Sequence, residues 1–460
     1  MISATSPAAP PPASPSLLRN RNFMWFWGGD AISQLGAQFS QLAIPVLAVS
    51  LLGATEFEVG VLGAAQTAAF LLVGLPAGAW IDRMLKRRVM IAADLVRAVA
   101  LAAIPALWFA QSLQMWHVYV VAAVLGVATV FFDVSYQSYP PILLSGPQIG
   151  AANSRLEATA QIARIGGPGL VGALLAVVSP PVLLLADGVS YLVSAFALSR
   201  VHDTEQPSDP EQRQSLPKEI GEGLRFVFGH PLIRRIVGTT ATTNFFSMIV
   251  FTLEAVLILR ELGLEPWVFG LVLSVGSIGG LFGAIATPWV TRRAGEGTSL
   301  SIAAVGFGVA ILVLPLAGAF PAIAVPILIL GTFLESFLVL LYNITQVTMR
   351  QRLCPPRLLG RMNASIRFVV WGVMPIASLL AGVLGSTIGT LPTMWIGAFG
   401  TFLSAGFVLF SPLTRMKVLP KELEVNQDAE PREPFTSPAD SAQDAVPEPP
   451  LAGQYPGEDR

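Results

Sequence analysis

The sequence predicts an all-α membrane protein with twelve transmembrane helices in two homologous six-helix bundles. Three observations lead there. Hydrophobic residues make up 53% of the chain and charged residues only 12%, where a soluble domain carries about 25% charged residues. Long apolar runs alternate with short connections that are basic on one side and nearly uncharged on the other. Residue patterns also recur at a constant offset of 209 or 210 positions.

Residues 1–16 are rich in Pro, Ala and Ser and carry no charge. They lack the basic-then-apolar pattern of a signal peptide, so a disordered cytoplasmic tail is expected. A span needs about 20 apolar residues. Twelve stretches qualify: 23–52, 57–80, 88–110, 115–138, 155–178, 181–199, 233–259, 267–290, 298–319, 321–346, 362–388 and 391–411. The outer connections are tiny, such as Gly53-Ala54-Thr55, Gln111-Ser112, Ser179-Pro180 and Gly389-Thr390. Of the 28 Lys and Arg, only Arg260 falls in an outer connection. Basic loops are retained inside, which places both termini in the cytoplasm. Trp25, Trp27, Trp80, Trp108, Trp116, Trp267, Trp289 and Trp395 sit near span ends as an aromatic belt, with Trp371 the exception.

Between spans six and seven the pattern breaks. Residues 216–228 read as a short amphipathic helix with Ile220, Leu224 and Phe228 on one face. From about Pro420 the chain is acidic and Pro-rich and cannot bury a core. The expected division is a disordered tail at 1–16, an N-terminal bundle at 17–200, a cytoplasmic linker at 201–230, a C-terminal bundle at 231–412 and a disordered acidic tail at 413–460. The repeat supports two halves. Gly74, Trp80 and Arg83 recur as Gly283, Trp289 and Arg292, Asn153 as Asn363, and Ser194-Ala195 as Ser404-Ala405. Thr291 stands opposite Asp82, so the second copy has lost the acid.

The turn between spans two and three, GLPAGAWIDRMLKRR at 74–88, carries Gly78, Asp82, Arg83, Lys86, Arg87 and Arg88. This resembles the signature loop between helices 2 and 3 of the major facilitator superfamily. Leu85 stands where that signature usually has a second glycine. In span five, Gly166-Gly167-Pro168-Gly169 with Gly172 resembles the glycine–proline motif of exporters, with one extra position between Pro168 and Gly172. Ala122 occupies roughly the place of the superfamily's helix-4 arginine, which leaves the proton route open. Asn20-Arg21-Asn22-Phe23, Ile32-Ser33-Gln34-Leu35-Gly36, Ala151-Ala152-Asn153-Ser154 and Asp187-Gly188-Val189-Ser190 are similar to the enterobactin-exporter and macrolide-efflux branch. The resemblance spans about residues 17–412 and implies parallel halves and alternating access.

Ionisable residues inside spans are costly and point to function. Those singled out are Asp30, Asp133, Arg164, Asp187, Glu254, Glu335 and Arg367. In the superfamily, helices 1, 4, 7 and 10 line the central cavity, and Asp30, Asp133, Glu254 and Glu335 fall on those spans. An acidic cavity would suit protons and cationic cargo. Each residue also has a plainer reading. Asp30 would pair with a neighbouring helix, Glu254 would be wetted at the outer end, and Asp187 would be structural. Asp133 and Arg164 stand at similar depths on adjacent antiparallel spans, either as a fixed pair or as one that breaks on protonation.

No Ser/His/Asp, Cys/His or metal-ligand pattern is present, and the single Cys354 excludes an intramolecular disulfide. An enzyme is therefore not expected. The leading expectation is a monomeric, proton-coupled exporter of amphipathic small molecules: a drug, a siderophore or a secondary metabolite. It would need no cofactor and take its energy from the proton gradient. It would contact membrane lipid, bind no nucleic acid and sit in a bacterial inner membrane. Lysophospholipid transport and a non-transporting membrane sensor are the alternatives.

Overall fold

The computed structural model describes residues 17–81, 83–144, 146–203, 205, 216–355 and 358–416. Each predicted span corresponds to helix. Span one is Arg21–Leu51, span three Lys86–Phe109, span four Met115–Gln137, span five Gly146–Leu175 and span six Pro180–Ser199. Span seven is Pro231–Glu261, span eight Pro266–Ala294, span nine Glu296–Ala319, span ten Pro321–Leu353 and span twelve Thr390–Leu409. Span two is split into Glu56–Leu72 and Gly74–Ile81, and span eleven into Leu359–Gly372 and Met374–Ile388. Ten helices among the described residues are long and apolar enough to cross a membrane. The break at Val73 takes span two out of that set, and Gln161, Arg164 and the glycine–proline stretch dilute span five.

Local chemistry sets the helix starts. The Asn20 side chain accepts from Phe23 N at 3.1 Å and caps span one. Thr55 and Glu58 form a reciprocal capping box at span two. The His230 imidazole accepts from Leu232 N and Ile233 N at the start of span seven. Gly295, at φ 85°, lets spans eight and nine turn back on each other within one residue.

The repeat read in the sequence is a repeat of packing. Span one packs on spans five and six, span three on spans four and six, and span four on span two. In the second half, span seven packs on spans eleven and twelve, span nine on spans ten and twelve, and span ten on span eight. Even irregularities recur. Spans one and seven both end in π-helical turns, Leu47–Leu51 and Leu257–Glu261. Gly53 and Gly263 follow them with φ of 62° and 61°. The halves meet through two reciprocal contacts, span two on span eleven and span five on span eight. Large apolar side chains face outward around the bundle, among them Val99, Ile162, Ile285 and Leu403. A surface so apolar belongs against lipid.

Four expectations shift. Span five begins at Gly146, well before residue 155, because 146–154 is polar but made of small residues that extend the helix beyond its apolar run. Span ten likewise continues past 346 to Leu353. The amphipathic helix is Leu216–Gly229, but its seated face is Gly223 and Val227, while Phe228 points outward, 54% exposed. Gly223 lies against Ser365 Oγ and the Arg361 carbonyl, and Glu222 pairs with Arg361, so the helix sits on the start of span eleven. The tail expected to start at 413 starts later, because Pro412–Arg415 is a short 3-10 turn with Leu413 buried and the Thr414 carbonyl accepting from Thr298 of span nine. Expectations for 1–16 and for 417–460 fall outside the described residues.

Candidate functional site

A cavity of about 790 Å³ lies between the two halves. Its walls come from span two (Phe70, Gly74), span four (Val134, Gln137, Ser138), span seven (Thr239, Thr240, Thr243, Asn244), span ten (Tyr342, Asn343, Gln346, Arg350) and span eleven (Asn363, Arg367, Trp371). These positions lie toward the ends of the spans nearest the chain termini, so the cavity faces that side. Tyr342 Oη and Thr240 Oγ1 are 2.9 Å apart, and Asn244 Nδ2 donates to the Val370 carbonyl at 3.1 Å. Arg367 stacks over the Trp371 ring at 5.0 Å and donates to Gln137 Oε1 at 3.3 Å, bridging spans eleven and four. Phe70 meets Trp371 edge-on at 4.7 Å.

The opposite end is shut. The two π-helical turns pack together. Arg260 pairs with Glu56 at 2.9 Å and also donates to the Ala54 carbonyl. Below this latch the halves touch backbone to backbone. A Cβ on Gly60 would stand 2.6 Å from Gly382 Cα, and one on Gly270 would stand 2.5 Å from Gly172 Cα. This is where the glycine–proline stretch acts. Pro168 removes a backbone donor from span five, Ser274 of span eight donates to the Ile165 carbonyl at 2.7 Å, and Gly172 admits span eight. Gly167 accommodates Gln38 of span one, while Gly166 has nothing near its Cβ position.

The predicted acids do not line this cavity. No Asp or Glu is among its described lining residues, whereas Arg350 and Arg367 are. The expected acidic cavity is therefore corrected to a cationic one in this conformation: none of the four acids is among its lining residues, and Asp30 turns to partners within its own half. Asp30 accepts from Gln34 Nε2 at 3.3 Å and from Tyr136 Oη at 3.1 Å. Asp187 accepts from Ser40 and from Ser190 Oγ at 3.1 Å, with Gly36 leaving room for the Ser190 hydroxyl. Glu254 is 8% exposed in the outer part of span seven, which replaces the wetted reading with a buried one. Glu335 lies mid-span, and Glu254 is the charged group acting on it.

The expected Asp133–Arg164 pair does not form. With span five starting at Gly146, Arg164 lies about 27 Å along its helix, while Asp133 is about 6 Å from the end of span four, at 1.5 Å per residue. Arg164 is exposed. The cations acting on Asp133 are Arg97 and Arg367.

Arg97 and Asp94 of span three are missing from the sequence reading, although both lie inside the span expected at 88–110 and the cost of ionisable residues within spans is the signal that singles them out. They form a buried ion pair at 2.5 Å. The Arg97 guanidinium lies over the rings of Phe132 at 4.3 Å and Tyr191 at 4.2 Å. It acts on Asp133 and Asp187 as well as Asp94. One cation thus gathers acids from spans three, four and six.

At the turn after span two, Asp82 lies outside the described residues. The helix Gly74–Ile81, which carries Gly78, packs against the start of span eleven and the amphipathic helix. Lys86 pairs with Glu205 at 3.1 Å, and Arg87 with Asp203 at 3.4 Å and the Val201 carbonyl. Arg83 and Arg88 are exposed. Asp203 and Glu205, also missed in the sequence, tie this basic turn to the chain leaving span six.

The sequence profile of the Major Facilitator Superfamily matches residues 26–377. The chain belongs to the Major Facilitator Superfamily. It is a multi-pass membrane transporter with the twelve-helix fold of that superfamily, not an enzyme. Among relatives of this transporter is the "Multidrug efflux pump Tap" of Mycolicibacterium fortuitum, 28% identical over 369 residues, 76% of this chain and 88% of that protein. "Macrolide efflux protein A" of Streptococcus pyogenes is 23% identical over 210 residues, 44% of this chain and 50% of that protein. A bacterial homologue of the iron transporter ferroportin, solved in an inward-facing state, shares the fold at a TM-score of 0.65 and 19% identity, covering 87% of this chain and 100% of that one. The outward-facing structure of such a homologue aligns at 0.53 and 19% identity, covering 84% and 98%.

Proposed function

We propose that this transporter exports amphipathic small molecules, drugs or secondary metabolites, by alternating access driven by a proton gradient. The observation that carries the reading is the cavity of about 790 Å³ between the halves, open toward the termini and latched shut by Arg260 and Glu56 at the other end. That is the geometry of a cargo chamber awaiting loading from one side. The kinship with Tap and with macrolide efflux protein A favours efflux over uptake.

In this reading the protein is a monomer in a bacterial inner membrane with both termini in the cytoplasm, which the basic loops on that side support. The open side is then cytoplasmic. Cargo enters from the cytoplasm or inner leaflet and rests on Phe70 and Trp371. The halves rock about the Gly60–Gly382 and Gly172–Gly270 contacts, the outer latch opens and cargo leaves. The turn bearing Gly78, Asp82 and Arg83, held by Lys86 and Arg87 within its own half, closes the cytoplasmic side. Protons bind at the carboxyls inside the halves, Glu335 with Glu254 in one and Asp30 with Asp133 in the other, and reset the cycle.

The test is efflux from cells expressing the protein. Expression is expected to raise minimum inhibitory concentrations for members of a panel of amphipathic antibiotics and to lower their steady-state accumulation. An uncoupler is expected to abolish the difference. Unchanged accumulation across the panel refutes efflux, and uncoupler-insensitive efflux refutes proton coupling.

A further inference from the structure

The cavity that the export reading fills with cargo is built to take a negative charge. Three of its buried polar groups have no hydrogen-bond partner among the described residues: Thr239 Oγ1, Gln346 Oε1 and Arg350 Nε. Arg350 is only 9% exposed. A buried guanidinium with unused donors, away from any carboxylate, is costly. Such a group persists where a ligand supplies the missing acceptor. Its neighbours do not neutralise it. The lining around it on span ten is Tyr342, Asn343 and Gln346, and no ion pair to Arg350 exists among the described residues.

Arg367 adds a second positive charge from span eleven. Its planar group is held by Trp371 and Gln137, and Asp133 is the acid that acts on it. Asp133 does not line the cavity, so the charge that cargo meets at this wall is positive. Beside the two cations, Phe70, Phe307 and Trp371 supply flat apolar walls. The arrangement has a polar, cationic side and an aromatic side.

We propose that this site selects organic anions: cargo with an aromatic or otherwise apolar body and a carboxylate, phosphate or sulfonate group, which Arg350 and Arg367 hold. The inference rests on the export reading for its direction, but not for its binding chemistry. Guanidinium groups present N–H pairs that match such oxyanions, and charge-assisted hydrogen bonds are roughly twice as strong as neutral ones. Thr239 and the Gln346 side chain complete the polar side, the Gln346 amide accepting any hydroxyl or amide proton on the cargo.

Three probes of one shape decide the matter: 2-naphthoate, 2-naphthamide and 2-naphthylmethylammonium. Each is titrated calorimetrically into the full-length protein in nanodiscs, with empty nanodiscs as the blank. The naphthoate is expected to bind at least about tenfold tighter than the amide or the ammonium, the worth of one charge-assisted contact. Arg350→Gln is expected to remove most of that preference, weakening naphthoate binding far more than naphthamide binding, and Arg350→Lys to keep part of it. Arg367→Gln is expected to weaken naphthoate binding as well. Equal affinity for the three probes, a preference for the ammonium, or no naphthoate binding by the wild-type protein overturns the inference without recourse to any variant. An Arg350→Gln protein with unchanged melting and unchanged anion preference overturns it too. Failure of the export reading looks different: the anion preference stands, but no panel compound is extruded from cells.

Discussion

Arg260, at the end of span seven, reaches Glu56, the first residue of span two, at 2.9 Å and so joins the two halves at the closed end of the cavity. It also donates to the Ala54 carbonyl, and Glu56 itself lies against Gly385 of span eleven. The pair is partly exposed, so its worth is modest, about 0.2–1 kcal/mol. A switch between two conformations is nonetheless shifted by energies of that size.

Arg260→Ala is expected to raise the population open at that end by up to about fivefold, the factor that about 1 kcal/mol gives. The readout is maleimide labelling of a cysteine placed at Thr252, which is buried beneath the latch. The native background is low. Cys354 is buried, and burial pushes its thiol up to about 11, so it is slow to react near neutral pH. The double exchange Arg260→Glu with Glu56→Arg is expected to restore protection. Equal labelling in all three proteins means the contact is not a latch.

Gly172 and Gly270 set how closely spans five and eight approach. A Cβ on Gly270 would stand 2.5 Å from both Gly172 Cα and the Pro168 carbonyl oxygen. Neither atom can move aside as a flexible side chain can, so Gly270→Val costs about 1–3 kcal/mol in this conformation. Transport is expected to fall at least about tenfold while expression persists, because each half keeps its own core. Gly166→Ala is the control, since nothing lies near its Cβ position. A Gly270→Val protein with wild-type transport shows that the close contact is dispensable.

How much of this was legible in the sequence depends on whether a feature is periodic. Spans and the repeat follow from hydropathy and offset, and the packing pairs repeat as the residues do. Partnerships were not legible. Asp133 and Arg164 looked matched because both were counted from hydropathic ends, but the polar start of span five carries the helix past the apolar run. Arg350 lies beyond the predicted end of span ten and passed for an inner-loop cation. The acids on spans one, four, seven and ten were placed by resemblance, yet which way a side chain turns around its helix depends on neighbours such as Tyr136, which holds Asp30.

The Arg97 cluster yields a prediction about stability. Arg97 is 5% exposed, pairs with Asp94, and lies between Phe132 and Tyr191. Arg97→Gln strands Asp94 and removes the cation acting on Asp133 and Asp187, so a loss of about 3–5 kcal/mol is expected. Asp94→Asn strands less and is expected to be milder. Arg97→Lys keeps the charge but not the planar stacking and is expected to rescue only in part. The double variant Asp94→Asn with Arg97→Gln is expected to melt higher than the sum of the single losses implies. Additive losses in a melting series of purified protein contradict a coupled cluster.

Glu335 is the strongest candidate for coupling protons to transport. It stands in the middle of span ten and makes no hydrogen bond or ion pair with a described residue, and Glu254 is the charged group acting on it. An apolar interior does not readily hold two uncompensated negative charges, so a proton gained or lost at this pair changes the energy of the half that carries it. Asp30 and Asp187, by contrast, are held by hydroxyl and amide donors. Glu335→Gln imitates a permanently protonated side chain of almost the same shape. It is expected to leave folding intact and cargo exchange across a symmetric membrane near wild-type levels. The extra rate that an imposed pH gradient confers should disappear. The measurement is transport in proteoliposomes with and without that gradient. Glu254→Gln is expected to reduce the gradient response in part, because it removes the neighbour but keeps Glu335. If Glu335→Gln answers the gradient as the wild type does, coupling belongs to the other half, and Asp133, between Arg97 and Arg367, becomes the residue to change next.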